Sequence, residues 1–227
     1  MHGRAVRRIS GLVDDIPLPA LRLALAPAIA EAAQFDGWTD GALLAAAEAT
    51  GADPDVARIA FPGGPTQMFE AWLDTVDAAT AAAFPPPRLA AMRVRERIRE
   101  LVLFRKDHAL PVREAVRRGL SLLAMPQNAP AGARLLWRTA DRIWRLAGDT
   151  ATDWNHYSKR AILSGVYSTT TLVWLDDRSP DLLDTRAFLD RRIDEVMRFE
   201  TWKRGMADSP YRFSLTKFLG RLRYPER

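Results

Sequence analysis

The sequence predicts an all-α protein, and two observations carry this prediction. Apolar residues recur at helical spacing in one segment after another, and no segment shows the alternation typical of a half-buried strand. Proline, glycine and small polar residues separate the segments where helices commonly begin and end. With 227 residues, 48% of them hydrophobic, the chain is long enough to bury a substantial core. We therefore expect about nine helices, followed by a C-terminal amphipathic helix.

The first four predicted helices follow an N-terminal tail at residues 1–16. Their bounds are set by proline, glycine and capping residues, and are 17–34, 39–50, 53–61 and 65–84. Pro27 is expected to kink the first helix, because proline removes a backbone donor. Thr39 or Asp40 is expected to cap the second helix, which Gly51 ends.

Five more helices are predicted after Pro85-Pro86-Pro87, which we expect to break the chain. They cover residues 88–106, 111–125, 131–146, a run ending near residue 175, and 180–204. Residues 85–204 thus form a helical core, and residues 205–227 form a linker and a last helix. The predicted organisation is therefore a tail, an N-terminal group of helices at 17–84, this core and the terminal segment.

The helix ending near Leu175 differs from an ordinary amphipathic helix. From Ala161 onward it is apolar almost all round, which predicts burial on every side. Its small residues could either let a neighbouring helix approach closely or leave room for a ligand, and helix packing is the commoner reason. Nearby aromatic residues keep the second possibility open, since apolar cavities commonly hold ligands. The candidate lining is Trp137, Trp144, Ala161, Ser164, Gly165, Ser168 and Trp174. The first turns of the same helix combine polar and aromatic side chains, namely Asp153, His156, Tyr157 and Arg160.

Charge and composition narrow the classes of partner. The net charge is +5, and residues 88–118 carry ten basic side chains against four acidic ones. Residues 198–227 carry eight basic against three acidic. Such basic zones favour nucleic acid, an anionic membrane or an acidic protein as partner. The absence of cysteine excludes disulfides, thiolate metal sites and a cysteine nucleophile. No run approaches the ~20 apolar residues of a membrane span, and we see no export signal, so a cytoplasmic location is expected.

Residues suited to catalysis are scarce. Asp153 and His156 form one acidic-x-x-His pair, whereas a di-iron bundle needs two such pairs and two further carboxylates. A hydrogen-bonded surface pair is the commoner meaning of this spacing. Phosphate loops, dinucleotide fingerprints and zinc-ligand spacings are also missing from the sequence. We therefore predict a protein that is not an enzyme and has no catalytic residue, metal site or cofactor.

The last segment has the pattern of a basic amphipathic helix. Its apolar face consists of Tyr211, Leu215, Phe218, Leu219 and Leu222, and its basic residues include Arg212, Lys217 and Arg221. This pattern is typical of a helix lying in a membrane interface. A terminal helix docked on its own domain or on a sister subunit would show the same pattern, so both interpretations stay open here.

Residues 35–64 have the spacing of a helix-turn-helix and resemble the DNA-binding half of TetR-type repressors. Their charge does not suit DNA, because five acidic residues stand against Arg58 alone. Phosphate neutralisation by lysine and arginine supplies most non-specific DNA affinity. We therefore predict a TetR-like fold without nucleic-acid binding. A TetR-like regulator that senses a ligand is the alternative function.

Three segments together resemble the family of the ninth coenzyme Q biosynthesis protein, an accessory factor of ubiquinone synthesis. They are residues 148–160, the Ser-Gly-Val-Tyr-Ser-Thr-Thr stretch at 164–170, and residues 188–197. The resemblance implies a homodimeric TetR-like fold with an apolar pocket for an isoprenoid quinone or a phospholipid. It also implies presentation of a quinone intermediate to the demethoxyubiquinone hydroxylase, a membrane-associated enzyme.

What the resemblance implies can be placed on the residues above. The lining set from Trp137 to Trp174 becomes the expected lipid site. The group of Asp153, His156, Tyr157 and Arg160 becomes the expected hydroxylase-docking patch, although the resemblance suggests a tryptophan at position 156 in mitochondrial members. The last helix is then expected to hold the protein at an anionic membrane, peripherally on the inner face of the cytoplasmic membrane.

Overall fold

The computed structural model of the protein describes residues 17–150 and 154–207. These residues form ten α-helices and two short 3-10 helices, with no strand among them. The predicted all-α fold is thus confirmed. The N-terminal tail, Asp153 and the predicted amphipathic helix from Tyr211 to Leu222 lie outside the described residues.

The helices follow one another with short connections. In chain order they are α1 (Leu18–Asp36), α2 (Asp40–Thr50), α3 (Pro54–Ala60), α4 (Gly64–Ala83), α5 (Pro86–Ala90), α6 (Val94–Ala109), α7 (Arg113–Leu123), α8 (Ala129–Leu146), α9 (Trp154–Asp176) and α10 (Leu183–Ala207). The two 3-10 helices are Leu110–Val112, before α7, and Pro180–Leu182, before α10.

Capping residues set the bounds of the helix-turn-helix-like pair. The hydroxyl of Thr39 accepts a hydrogen bond from the backbone N–H of Ala42, and Gly51 ends α2 with a left-handed φ of 75°. The carboxylate of Asp53 accepts hydrogen bonds from the backbone N–H groups of Asp55 and Val56 at 2.8 and 3.1 Å. These side chains satisfy donors that the first turn leaves unpaired, so the predicted bounds of α2 and α3 are confirmed to within a residue.

The predicted helix at 88–106 is two helices. Pro86 and Pro87 begin the short α5 instead of breaking the chain, since proline fits the first turn of a helix. A new helix then starts at Val94, where the Arg93 N–H donates to the Glu96 carboxylate at 3.0 Å. This capping interaction explains why the helical pattern restarts within the predicted element.

Two apolar clusters form the core. The first gathers α1–α4 and α7 around Trp38, Phe69 and Trp72, whose rings lie within 6.3 Å of one another by centroid distance. The second joins α6, α8, α9 and α10 through residues such as Leu101 and Leu189. The helix-turn-helix-like region therefore packs on one cluster, and the segment that carries the predicted sites belongs mainly to the other.

Helix α9 is not buried on every side, contrary to the prediction. Leu163, Val166 and Trp174 face the core, but Ala161, Gly165, Thr169 and Leu172 are exposed. The Thr169 hydroxyl donates to the Gly165 carbonyl at 2.7 Å, so this small polar residue has its hydrogen bond within the helix. An apolar residue count cannot distinguish such a helix from a fully buried one, because alanine, glycine and threonine are tolerated at either location.

Candidate functional site

A cavity of about 300 Å³ lies among helices α4, α6, α7, α8 and α9. Its walls are mostly apolar and aromatic, and include Phe69, Trp72, Val76, Leu123, Leu135 and Trp174. This volume is at the lower end of the range found for small-molecule sites. The cavity can therefore hold a compact group, while a long chain attached to that group would extend outside.

The deep end of the cavity carries two adjacent cations, Arg105 and Lys106. Only 2% and 3% of these residues is exposed. Helix α6 places them there because they continue the buried face that Leu101 and Val102 begin. Two neighbouring cations in such a location are unusual, since an ammonium or guanidinium group loses much hydration energy on burial.

Lys106 lies against side chains that carry no full negative charge. Its Nζ donates a hydrogen bond to the Thr171 hydroxyl at 2.5 Å and lies 3.8 Å from the centroid of the Tyr167 ring. The Trp174 ring centroid is 5.5 Å away, and both rings offer cation-π contacts. Lys106 forms no ion pair within the described part of the chain. Its compensation for burial therefore comes from the hydroxyls of Thr171 and Tyr167 and from two ring faces.

Arg105 is balanced by a carboxylate. Its Nη1 donates to Asp77 of α4, and its Nε donates to the Tyr167 hydroxyl at 3.3 Å. Asp77 also accepts a hydrogen bond from Arg142 of α8, so one buried carboxylate joins three helices. Asp77 is shared between two arginines and forms no ion pair with Lys106.

The pKa values at this site reflect the excess of positive charge. Burial lowers the pKa of Lys106, because the charged ammonium is poorly solvated there. Burial alone would raise the pKa of Tyr167, but the charges of Lys106 and Arg105 outweigh it and lower this pKa to about 8. The deep end of the cavity therefore favours negative charge on an oxygen atom.

Two further donors at the cavity lack an acceptor. Within the described residues, Arg105 Nη2 and Trp174 Nε1 are buried and have no hydrogen-bond partner. Both side chains line the cavity. Buried polar groups without partners are rare in folded proteins and each costs stability. The site is thus rich in donors and short of acceptors.

The other end of the cavity is open and apolar. Leu172 lines it with 62% of its surface exposed, and Ala124 is exposed as well. Leu120 and Leu136 are half-buried beside them. The cavity therefore runs from an apolar mouth between α7, α8 and α9 to a buried cationic end at α6.

Only two of the seven residues expected at a lipid site line this cavity, namely Ser168 and Trp174. Trp144 lies elsewhere, and its indole N–H donates to the Lys159 carbonyl at 3.0 Å. Ala161 and Gly165 are exposed, and Ser164 is half-buried. Trp137 is at the surface, with its ring 6.2 Å from that of Tyr157. The small-residue seam and the cavity are thus different features of α9.

The residues of the predicted docking patch also lie in different places, some at the surface and one in the interior. Tyr157 is 58% exposed and contacts the His156 ring at a centroid distance of 5.1 Å. With Trp137 they form an aromatic surface, which we call the α8–α9 aromatic patch. Arg160 lies apart, because it is 1% exposed and donates to Asp141 at 2.6 Å and to Asp149 at 3.0 Å. Its buried guanidinium group thus joins α9 to α8. The fourth residue of the predicted patch, Asp153, lies outside the described residues.

A second and larger space, a groove of about 800 Å³, lies beside α1, α4 and α8. Its charged lining is paired internally, for example Arg142 with Asp74 at 3.1 Å. The Glu70 carboxylate likewise forms an ion pair with Arg138 at 2.7 Å. Because these charged groups pair with one another, the groove offers a ligand fewer unpaired polar groups than the cavity does.

Sequence reasoning missed Arg105 and Lys106, although a signal was present. The apolar face of α6 passes through Ile98, Leu101 and Val102, and position 105 continues that spacing. A basic residue at a position whose spacing predicts burial indicates a buried charge. Counting residues 88–118 as one basic zone does not separate these two buried cations from the exposed ones.

These features define the class of protein as a TetR-like all-α domain with an internal cavity. Its fold is similar to the crystal structure of a TetR transcriptional regulator from Nitrosomonas europaea, with a TM-score of 0.63 and 20% identity over 78% of this chain and 97% of that one. None of the described helices is long and apolar enough to cross a membrane.

The particular resemblance is to COQ9. The COQ9 family model matches residues 129–200, which cover α8, α9 and most of α10. The ubiquinone biosynthesis protein COQ9 of Rattus norvegicus is 45% identical over 100 residues, 44% of this chain and 32% of that protein. The COQ9 protein of Drosophila melanogaster is 28% identical over 80% of this chain and 56% of its own length. The match to the rat protein thus spans about a third of that relative, and the predicted resemblance to the COQ9 family is confirmed.

Proposed function

We propose that this protein is a non-enzymatic, lipid-binding accessory protein of ubiquinone biosynthesis. In this proposal it holds an isoprenoid quinone intermediate and presents it to the demethoxyubiquinone hydroxylase at the membrane. The observation that carries the proposal is the cavity with an apolar mouth, aromatic walls and a polar deep end. The match of residues 129–200 to the COQ9 family supports the pathway.

The shape of the cavity suits a lipid with a compact head. Trp72, Val76 and Leu135 offer dry contact to apolar carbon, and burial of such surface contributes about 25 cal/mol per Å². An isoprenoid tail would leave through the mouth and cover the exposed Leu172. A lipid bound in this way keeps its tail accessible to a membrane, which is what transfer to a second protein requires.

The docking surface in this proposal is the α8–α9 aromatic patch. It lies on the two helices that also wall the cavity, and Tyr157 precedes Leu172 by about 22 Å along the axis of α9. Exposed aromatic side chains are enriched at protein interfaces. A hydroxylase bound over this patch would thus be close to the mouth without covering it.

The remaining parts of the proposal depend on the sequence alone. Residues 205–227 would hold the protein peripherally at the inner face of the cytoplasmic membrane, and the protein would act as a homodimer. Anionic lipid attracts each nearby lysine or arginine by roughly 1 kcal/mol, which suits the basic terminal segment.

The test is the lipid content of the purified protein and of a variant with a blocked mouth. Native mass spectrometry followed by lipid extraction should show an isoprenoid quinone on the wild type. Ala124→Trp should lose it, because Ala124 lines the mouth and an indole there would fill it. Ser121→Trp, also exposed but not lining the cavity, is the matched control and should keep the lipid. A wild-type protein that neither carries a lipid nor takes one up from quinone-loaded vesicles would refute the function.

A further inference from the structure

We propose that the cavity binds its lipid head first, and that Lys106 and Arg105 hold a negatively charged oxygen of that head. The ligand class is an amphiphile whose head bears an ionised oxygen, such as a carboxylate or a phenolate. This inference rests on the proposed function, because it assigns the head-binding end of the same cavity. It involves α6, which precedes the segment matched by the COQ9 family model.

Several hydrogen-bond donors at the deep end of the cavity are unused. Lys106 Nζ has three donor positions, and its acceptors among the described residues are the hydroxyls of Thr171 and Tyr167, which leaves one position unused. Arg105 Nη2 and Trp174 Nε1 have no acceptor within the described residues. All three side chains line one cavity. A ligand oxygen carrying negative charge would supply the missing acceptor, whereas a ligand ammonium group would be repelled by Lys106 and Arg105.

Carboxylates balance only part of the positive charge at the deep end. Asp77 compensates Arg105 and Arg142, and the described residues supply no carboxylate to Lys106. Burial of an uncompensated cation is costly, so an anion that enters removes part of that cost. Because the low pKa of the neighbouring Tyr167 hydroxyl has the same cause, the site favours an ionised oxygen from the protein or from a ligand.

The exposure of the lining residues sets the direction in which an amphiphile enters the cavity. The cations lie at the buried end, while Leu172 and Ala124 at the mouth are exposed. A charged head left at the exposed mouth would stay in water and leave the buried donors unpaired, and the tail would then meet Lys106. Entry of the head first gives those donors an acceptor and places the tail against the apolar walls and mouth. For an isoprenoid quinone, the form that satisfies this condition is the hydroquinone with one phenolic oxygen ionised against Lys106.

The experiment compares three probes on the full-length protein by calorimetry: decanoate, decan-1-ol and acetate. Decanoate and decan-1-ol share the chain and differ in head charge, and acetate has the head without the chain. Decanoate is expected to bind roughly 10- to 100-fold more tightly than decan-1-ol, the range for charge-assisted hydrogen bonds in a site of this kind. Acetate is expected not to compete.

Lys106→Met identifies the residue responsible. Methionine has a similar length and no charge, so the preference for decanoate should fall well below the wild-type ratio, because only Arg105 still holds the carboxylate, while decan-1-ol binds as before. Lys159→Met is the matched control, because Lys159 pairs with Asp149 at 2.7 Å and does not line the cavity. It should retain the full preference. Thermal unfolding of the empty protein is a second readout: Lys106→Met should be at least as stable as the wild type, since it removes an unpaired buried charge.

The outcomes separate this inference from the function it rests on. Equal binding of decanoate and decan-1-ol by the wild type would overturn head recognition and leave a lipid cavity in place. Failure to bind either would overturn both. Competition by acetate as strong as that of decanoate would make this a small-anion site and overturn the amphiphile. A decanoate preference that Lys106→Met leaves undiminished would also overturn the assignment. If that variant does not fold, the comparison of decanoate with decan-1-ol on the wild type decides.

Discussion

Lys106 Nζ lies 3.8 Å from the centroid of the Tyr167 ring, and the two side chains join α6 to α9 at the deep end of the cavity. Arg105 contacts the hydroxyl of the same tyrosine at 3.3 Å. Tyr167 thus contacts two cationic side chains, which belong to consecutive residues of one helix. This arrangement makes Tyr167 a reporter of the charge at the site.

The ionisation of Tyr167 should be visible near neutral pH. The two cations lower its pKa to about 8, so absorbance at the phenolate wavelength should rise with a midpoint near that value. Tyr167→Phe should remove this step. Lys106→Met should move it to higher pH, because burial, which raises the pKa, would then be opposed by Arg105 alone. A step that is unchanged in Tyr167→Phe would contradict the assignment.

The lowered pKa of Tyr167 also makes the stability of the folded protein depend on pH. Because the folded pKa lies below the unfolded value of about 10, ionised Tyr167 stabilises the folded state. Its contribution is fully present above pH ~10 and is lost as the pH falls through about 8. The stability difference between wild type and Tyr167→Phe should therefore become more favourable to the wild type between these values. Denaturant unfolding at several alkaline pH values measures it.

Asp177 should stabilise the corner between α9 and α10. One carboxylate oxygen accepts from the N–H and hydroxyl of Ser179 at 2.8 and 2.5 Å, and the other from the N–H and hydroxyl of Thr185 at the same distances. Burial would raise the pKa of Asp177, but these four hydrogen bonds lower it to about 2. Asp177→Asn should cost roughly 2 kcal/mol at neutral pH.

The pH dependence and a neighbouring residue supply the control for Asp177. The folded pKa is depressed, so the contribution is present above the unfolded value of about 4 and is lost as the pH falls through about 2. Asp176→Asn should change stability by less than 1 kcal/mol, because its exposed side chain forms a surface ion pair with Arg117 at 2.8 Å. Equal effects of the two substitutions would contradict this account of the corner.

Two glycines should respond in opposite ways to alanine. A Cβ on Gly119 of α7 would lie 2.5 Å from Cε2 of Phe69, a buried ring stacked on Trp72. Gly119→Ala should therefore destabilise the protein by about 1–3 kcal/mol and disturb a wall of the cavity. A Cβ on Gly165 of α9 would meet nothing within 4 Å, so Gly165→Ala should stabilise the helix by about 0.5–1 kcal/mol. Thermal unfolding tests both, and a stabilised Gly119→Ala would refute the packing argument.

The fold could be predicted from local signals, and the site only in part. Thr39, Gly51 and Asp53 act through hydrogen bonds and φ values within a few residues, so α2 and α3 were predicted nearly to the residue. The contact of Lys106 with Tyr167 joins residues 61 positions apart, and only the packing of α6 on α9 decides it. Arg160 shows the same limit, since its ion pairs turn it inward from a segment that its sequence pattern places at the surface.

The terminal segment at 205–227 should bind anionic vesicles if its predicted helix lies in the interface. Leu215→Glu with Phe218→Glu places two charges on the apolar face and should abolish flotation with such vesicles while the fold is unchanged by circular dichroism. Thr216→Glu with Gly220→Glu adds the same charge opposite that face and should weaken binding much less. Undiminished flotation of the first variant would remove the membrane role.

The helix-turn-helix-like region should not bind DNA, because the side chain of Arg58 is already held in ion pairs. This arginine, the single basic residue among residues 35–64, is already paired with Asp40 at 3.4 Å and Asp55 at 3.2 Å. The N-terminus of α3, where a recognition helix would approach phosphate, instead presents Asp53 and Asp55.

Fluorescence anisotropy with a labelled duplex tests this expectation at low and moderate salt, about 50 and 200 mM. We expect no micromolar binding through this region. Any weak, salt-dependent retention by the basic terminal segment should be unchanged in Arg58→Gln, because a contact made by the helix-turn-helix-like region would depend on this arginine. Tight binding that Arg58→Gln abolishes would instead favour a TetR-like regulator, with the cavity as its ligand sensor.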